Sequence, residues 1–376
     1  MSEEEADEVF PPLKCSDYKI AVSDSVSDGD SFVYVVKSQE LSSNTEYQVE
    51  RTFEDFEGLQ HCLFNQEGVP GLQGIIFPPL PAKPCPSLSN SDSKSIKVLG
   101  LLAVGENWPT YCQALENYLC LITGHSILSK NPVLQRFLTQ NEPLAIQRVK
   151  KGIFNWLSQA VEGLRKENHK DIDDIFQNER DNNLTLTGLT KAVTEKFTEM
   201  VLTEQRLAVA CGHFSTSLQL GISQQEDQTA QEFSKMCLKL SEVIDAVQKN
   251  YESVAENNIN TIGLYLELYS RYLEAEKEML FRRTCKLVEV ENANKNLEKA
   301  KAIKKATMEE MKKATDKEFK EISGMAKIEI QNFHRERVRA FQQSLMGLCV
   351  SQLNTARESC AVFTQQLSHF RELCGE

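Results

Sequence analysis

The sequence predicts two architectures in tandem: an α+β N-terminal unit built on a three-stranded meander, then an all-α unit of three long helices in a coiled-coil-like bundle. Three observations carry this. Short alternating runs rich in β-branched and aromatic residues crowd into 15–53 between turn signals. Four prolines, Pro78, Pro79, Pro81 and Pro84, then fix an extended segment outside any sheet. After Pro143 there is no proline at all, and apolar residues recur every three or four positions through roughly 180–372.

Composition bounds the function. The chain has 376 residues, enough for two domains with real cores, and a formal net charge of −12, which gives no general affinity for nucleic acid. The charge is uneven. Residues 271–339 hold 18 Lys/Arg against 13 Asp/Glu, leaving 24 against 41 elsewhere, so a local basic surface can sit on an acidic protein. The 11 cysteines form no CxxC pair and are expected to be reduced, mostly small core residues of a cytoplasmic protein. The acidic N-terminus has no apolar signal core, and the longest apolar run, Val98–Val104, is too short to span a bilayer. Catalytic motifs of the P-loop, HExxH and GxSxG types are missing, and the six histidines are scattered, so neither an enzyme nor a cofactor is expected.

Taken in order, residues 1–14 read as a disordered acidic tail. Tyr18, Ile20 and Val22 mark the first strand, Phe32–Val36 the second, and Tyr47 and Val49 the third, with turns at Ser27–Asp30 and Ser42–Asn44. Phe56, Leu59 and Leu63 give a helix over 54–64. Residues 109–140 hold two short helices, marked by Leu115, Leu119 and Ile122 and by Leu134, Phe137 and Leu138. Over 143–166, Ile146, Val149, Ile153, Leu157, Val161 and Leu164 follow a 3.6-residue period. Phe154 and Trp156 flank that stripe, and Arg148, Lys150 and Lys151 lie around the other face. This is the pattern of an amphipathic helix lying in a membrane interface, or of one packing back on the bundle. The polar start of the next segment, with Asp171, Asp173 and Asp174, lacks the Gly turn and closing Glu of a calcium loop and reads as a solvated helix start.

The first long helix runs from about 182 to 220, and Gly221–Gln225 breaks it. The second begins near 226, with Phe233, Met236, Leu240, Val243 and Val247 on its stripe. The third carries Phe319, Ile322, Phe333, Phe341 and Leu345, and the turn before it falls somewhere in 292–315. A helix of about 65 residues is near 100 Å long. One chain cannot bury all of such a stripe, so a second chain is expected. Lysines crowd the turn.

The N-terminal residues resemble the PX (phox homology) domain over about 15–140. The resemblance rests on Arg51-Thr52-Phe53-Glu54-Asp55-Phe56, on Phe77-Pro78-Pro79-Leu80-Pro81-Ala82-Lys83 and on Leu115-Glu116-Asn117-Tyr118-Leu119. It implies a phosphoinositide pocket in which an arginine before the aromatic grips the 3-phosphate, the proline-loop lysine meets another phosphate, and a later arginine forks onto ring hydroxyls. Here Phe53 and Lys83 match. Thr52 stands where the gripping arginine belongs, Arg51 is one residue early and so on the opposite strand face, and Tyr111 stands where the later arginine belongs. These departures weigh against tight binding of phosphatidylinositol 3-phosphate.

Residues 168–376 resemble a BAR domain, and the order PX, amphipathic helix, BAR is that of the PX–BAR sorting nexins. Met279–Thr284, Glu291–Lys295 and Asn332–Phe341 are similar to the retromer-linked subgroup, whose PX domains also lack the gripping arginine. That subgroup carries a helical hairpin after the proline loop that holds cargo tails; the short polar segment 84–108 puts this in doubt here. The resemblance implies a homo- or heterodimer with another PX–BAR sorting nexin, peripheral on early endosome membranes, which senses or induces curvature and supports cargo retrieval. Partners would be anionic lipids, cargo tails or retromer components. The expected membrane contacts are Arg148, Lys150, Lys151, Ile153, Phe154, Trp156 and Leu157 in the amphipathic helix. In the basic turn they are Lys295, Lys299, Lys301, Lys304, Lys305, Lys312 and Lys313, with Arg282, Arg283 and Lys286 nearby. Two readings compete with direct contact: the lysines are a solvated helix face with pairs such as Glu309–Lys313, or the chain is an adaptor that heterodimerises and lends its PX domain to protein contacts.

Overall fold

The computed structural model describes residues 17–24, 33–82, 108–142, 170–221 and 228–374. The meander forms as the alternation predicts. Strands β1 (Tyr18–Asp24), β2 (Val33–Glu40) and β3 (Thr45–Thr52) make one antiparallel sheet in the order β1-β2-β3. Asn44 takes the left-handed conformation in the tight turn between β2 and β3 (φ 54°). The register pairs Tyr34 with Arg51 and Val36 with Val49, and these four side chains are buried on one face.

Helix α1 (Phe53–Phe64) follows β3 without a loop, because Thr52 ends the strand and caps the helix. Its hydroxyl accepts from the Asp55 backbone N–H, and the Asp55 carboxylate accepts in turn from the Thr52 N–H, a reciprocal capping box. Helices α2 (Trp108–Gly124) and α3 (Pro132–Thr139) close the unit, the latter started by Asn131 as cap and Pro132 in its first turn. Phe56 sits at the centre, with ring contacts to Tyr34, Tyr118 and Phe137. The proline segment is extended, and most of it is buried: Ile75, Ile76, Phe77 and Leu80 are core residues.

Three long helical runs make up the rest. Helix α4 spans Asp174–Leu220, eight residues earlier at its start than the stripe predicts. The second run is α5 (Gln228–Asn258), a π-helical turn (Ile259–Gly263) and α6 (Leu264–Glu298). Helix α7 spans Ala302–Cys374. The turn between α6 and α7 is short and falls at 299–301, inside the expected interval. None of the described helices is long and apolar enough to cross a membrane.

The described chain forms two compact units. The first comprises 17–24, 33–82, 108–142, 170–189 and 268–336, so it joins the α+β part to the adjoining stretches of the long helices. Its docking is specific. Arg282 donates to the Gln73 carbonyl (3.0 Å) and the Ile75 carbonyl (2.7 Å) and lies over the Phe64 and Phe77 rings. Glu329 accepts from the Ile76 N–H and faces His125. Gly71 and Gly74 let the chain approach the α7 backbone, where a Cβ would come within 2.7 Å of the Glu321 oxygen and 2.5 Å of the Ile322 oxygen. The second unit comprises 190–221, 228–267 and 337–374, with a small apolar centre of Val201, Ala255 and Ile259.

Two expectations are corrected. Asp171 is not part of a solvated helix start: it is buried and accepts from Arg180 (2.9 Å) and Arg283 (2.5 Å). The cysteines are not mostly core residues, since of those described Cys112 is buried while Cys120, Cys349 and Cys360 are exposed.

Candidate functional site

Two places carry the expected contacts, the phosphoinositide pocket of the α+β part and the lysine-rich turn. In the first, every phosphate-gripping position that is described has taken up structural work. Arg51 is 2 % exposed. It donates to the Phe137 carbonyl (2.8 Å), the Gln140 carbonyl and the Glu50 carbonyl (2.9 Å), and it stacks over the Phe137 ring. A guanidinium bound to carbonyls at the C-terminal end of α3 satisfies acceptors that the helix leaves open, and it meets the negative end of the helix dipole. Burial pulls its pKa down.

Thr52 is occupied by its capping box, and the Asp55 carboxylate beside it repels an approaching phosphate. Tyr111 is buried and donates to the Ala82 carbonyl (2.7 Å), tying the end of the proline segment to α2. Phe53, the expected stacking aromatic, is 7 % exposed at the first position of α1. Lys83 lies outside the described residues, as do Arg148, Lys150, Lys151, Ile153, Phe154, Trp156 and Leu157.

The second place is the turn between α6 and α7. Lys295, Lys299, Lys301, Lys304, Lys305 and Lys313 are exposed and Lys312 is half-buried. Over 295–313 there are seven lysines against three glutamates. Among the described residues none of the seven forms an ion pair, and the Glu309–Lys313 pair expected of a solvated face does not form. Amid them Ile303 is 96 % exposed, with Met311 exposed on the same helix. The sequence reading passed over Ile303; an isoleucine inside Lys301-Ala302-Ile303-Lys304-Lys305, next to a helix break, was the available signal. Chemically the turn offers unpaired ammonium groups to anions and one large apolar side chain to a non-aqueous phase.

The neighbouring cations behave otherwise. Arg282 and Arg283 do not belong to this surface. Arg282 is buried against the α+β part, and burial lowers its pKa to about 10. Arg283 is 1 % exposed, stacks on Phe176 and Phe319, and bonds Asp171 and Ser323. Lys286 reaches Glu289 (2.8 Å) and Glu318 (3.1 Å), so its charge is balanced inside the protein. The reason for the correction is register: Arg282 lies on the face of α6 that meets the α+β part, Arg283 on the face that meets α4 and α7, and Lys286 beside α7.

A third feature is the apolar surface of the second unit. Phe214 on α4, Phe233 and Met236 on α5, and Met346 and Val350 on α7 are each about half exposed or more. Phe233 and Met236 lie on a stripe that the sequence predicts.

Comparison with known proteins gives consistent relations. Residues 39–141 match the PX domain model, and residues 150–369 match the family described as Vps5 C terminal like, more than half of the chain. Sorting nexin-6 of Homo sapiens is 27% identical over 365 residues, covering 90% of this chain and 88% of that protein, and the Mus musculus protein gives the same values. Sorting nexin-32 of Homo sapiens is 26% identical over 385 residues, covering 94% of this chain and 93% of that protein. Among solved structures, the cryo-EM structure of the SNX-BAR Mvp1 tetramer aligns with a TM-score of 0.51 at 15% identity, covering 93% of this chain and 99% of that one, which is likeness of fold.

Proposed function

Since the chain belongs to the PX–BAR sorting nexins, with a PX domain followed by a Vps5-like BAR domain, we propose that it is a non-enzymatic peripheral scaffold that holds membranes through the α6–α7 turn. The observation that carries this reading is the set of unpaired lysines around the exposed Ile303. Each lysine near an anionic leaflet contributes about 1 kcal/mol. Immersing the isoleucine side chain adds about 1.5–3 kcal/mol.

A second chain covers the exposed apolar residues Phe214, Phe233, Met236, Met346 and Val350. That chain is a copy of this one or another PX–BAR sorting nexin. Such dimers sense or induce curvature, and on early endosomes they support tubule-based retrieval of cargo; cargo tails and retromer components are the expected company. The amphipathic segment 143–166 inserts beside the scaffold, with Phe154 and Trp156 on its apolar margin and Arg148, Lys150 and Lys151 toward the head groups.

A second reading is favoured by one observation. The PX positions that would grip a phosphate serve the fold instead: Arg51 holds α3, Thr52 caps α1, and Tyr111 fastens the proline segment. On this reading the chain is an adaptor that heterodimerises with a lipid-binding sorting nexin and offers its PX domain to proteins. Co-sedimentation with vesicles containing anionic phospholipid separates the two. Pelleting of the purified chain alone supports the scaffold; pelleting only when a second sorting nexin is added supports the adaptor.

A further inference from the structure

One cluster of titratable side chains is used neither by the basic turn nor by the apolar stripes. Each of the three long helical runs contributes one member: Glu179 from α4, Glu276 from α6 and His334 from α7. One carboxylate oxygen from each glutamate and one imidazole nitrogen lie within 4.8 Å of one another. His334 Nε2 is 2.8 Å from Glu179 Oε1. Glu276 is 1 % exposed, and its Oε2 accepts from Asn183 Nδ2 at 2.8 Å. Asn183 also donates to the Leu273 carbonyl (2.9 Å), which fixes the amide and so the carboxyl plane. The other oxygen, Glu276 Oε1, is buried and receives no hydrogen bond.

A buried carboxylate oxygen with no donor is costly, and a second carboxylate across from it makes it more so. Only a cation, whether a proton or a metal ion, reconciles the pair. Burial, with the Glu179 charge opposing the hydrogen bond from Asn183, pushes the Glu276 pKa up to about 8. The His334 pKa is raised as well, chiefly by its hydrogen bond to Glu179. Two carboxylates facing an imidazole in this buried space call for a compensating cation. One imidazole and two carboxylates on facing helices are also the donors that zinc and its neighbours take in helical bundles.

We propose that Glu179, Glu276 and His334 form a binding site for one divalent transition-metal ion, zinc being the best fit, which pins the three long helical runs together within the first compact unit. Neutral His334 and two carboxylates with a divalent ion sum to zero charge. Binding of the ion displaces protons held by the cluster, and no redox step is involved. Tetrahedral ligands sit roughly 3.3–3.5 Å apart at zinc distances of about 2.0–2.1 Å, so the side chains contract by about an ångström. A water completes the shell, and the entry path runs past His334, whose side chain is 35 % exposed. The Asn183 bond to Glu276 supplies the orientation that metal-bound carboxylates require.

The test uses the full chain, stripped with a chelator, with its thiols blocked to remove the surface cysteines as ligands. Cobalt(II) is the spectroscopic probe and zinc the competitor. The expected result is saturable 1:1 binding with the visible bands of tetrahedral cobalt, reversal by zinc, and proton release shown by calorimetry in buffers of different ionisation enthalpy. Glu276→Gln, which keeps the shape and the Asn183 contact, is expected to lower affinity by roughly a hundredfold or more. His334→Gln, at the half-exposed member, is expected to do the same with unchanged helicity, and it serves as the readout if the Glu276 variant does not fold. Absence of saturable cobalt or zinc binding overturns the proposal, and so does equal binding by the wild type and a folded variant.

Discussion

Arg51 shows how one residue can look like a ligand-binding group and act as a structural one. Its guanidinium is buried and bonds main-chain carbonyls, so removing it leaves those acceptors unpaired. Arg51→Met is expected to lower unfolding stability by about 2–4 kcal/mol, read by denaturant titration. Thr52→Ala removes one side of the capping box and is expected to cost about 1 kcal/mol by the same measurement. At the Asp173–Lys327 pair (2.8 Å) the sign of a pH effect can be worked out. The hydrogen bond from Lys327 holds the Asp173 pKa below its ordinary value of 3.8. A depressed carboxylate contributes stability that is present above that ordinary value and lost as pH falls through the folded one. Thermal melts between about pH 5 and pH 2 should therefore show a shallower acid-side decline in Lys327→Met than in the wild type. Much of this scale was legible in the sequence: the Thr52 and Tyr111 departures follow from the PX resemblance, and the opposite face of Arg51 from strand alternation. Arg282 and Arg283 were not legible, because a helical arginine reads the same whether it meets water or, as here, backbone carbonyls and aromatic rings.

Among the elements, the glycines before the proline segment set how closely it meets α7. Gly71 is in the left-handed region (φ 71°), and a Cβ on Gly74 would press on the Ile322 oxygen at 2.5 Å. Gly74→Ala is expected to cost about 1–3 kcal/mol, and a melting curve or limited proteolysis of the proline segment would show it. The strands, the short helices and the three long runs were readable from period and turn chemistry. Helix starts were less so: Asp173 caps α4 by accepting from the Ile175 N–H, and the helix begins at Asp174, eight residues before the start expected near 182. The π-helical turn at Ile259–Gly263 left no signal, since it continues the same apolar spacing. The Glu179–Glu276–His334 cluster was invisible for another reason. Its members are 97 and 58 positions apart along the chain (276 − 179 and 334 − 276), and only packing brings them together.

For the whole molecule, the proposed function lies in its surfaces. The described phosphate-gripping positions of the α+β part serve the fold, so the scaffold proposal assigns lipid contact to the basic turn and the segment 143–166. Charge reversal at Lys301, Lys304 and Lys305 is expected to remove about 3 kcal/mol or more of vesicle affinity, roughly a hundredfold. It should leave melting unchanged, because these side chains form no ion pairs among the described residues. The most direct measurement is co-sedimentation of the full chain with anionic and with neutral vesicles, comparing the wild type with a variant carrying Ile303→Asp, Lys301→Glu, Lys304→Glu and Lys305→Glu. The scaffold account predicts that the wild type pellets with anionic vesicles only and that the variant stays in the supernatant. Equal pelleting of a folded variant and the wild type, or no pelleting of the wild type without a second sorting nexin, would contradict it.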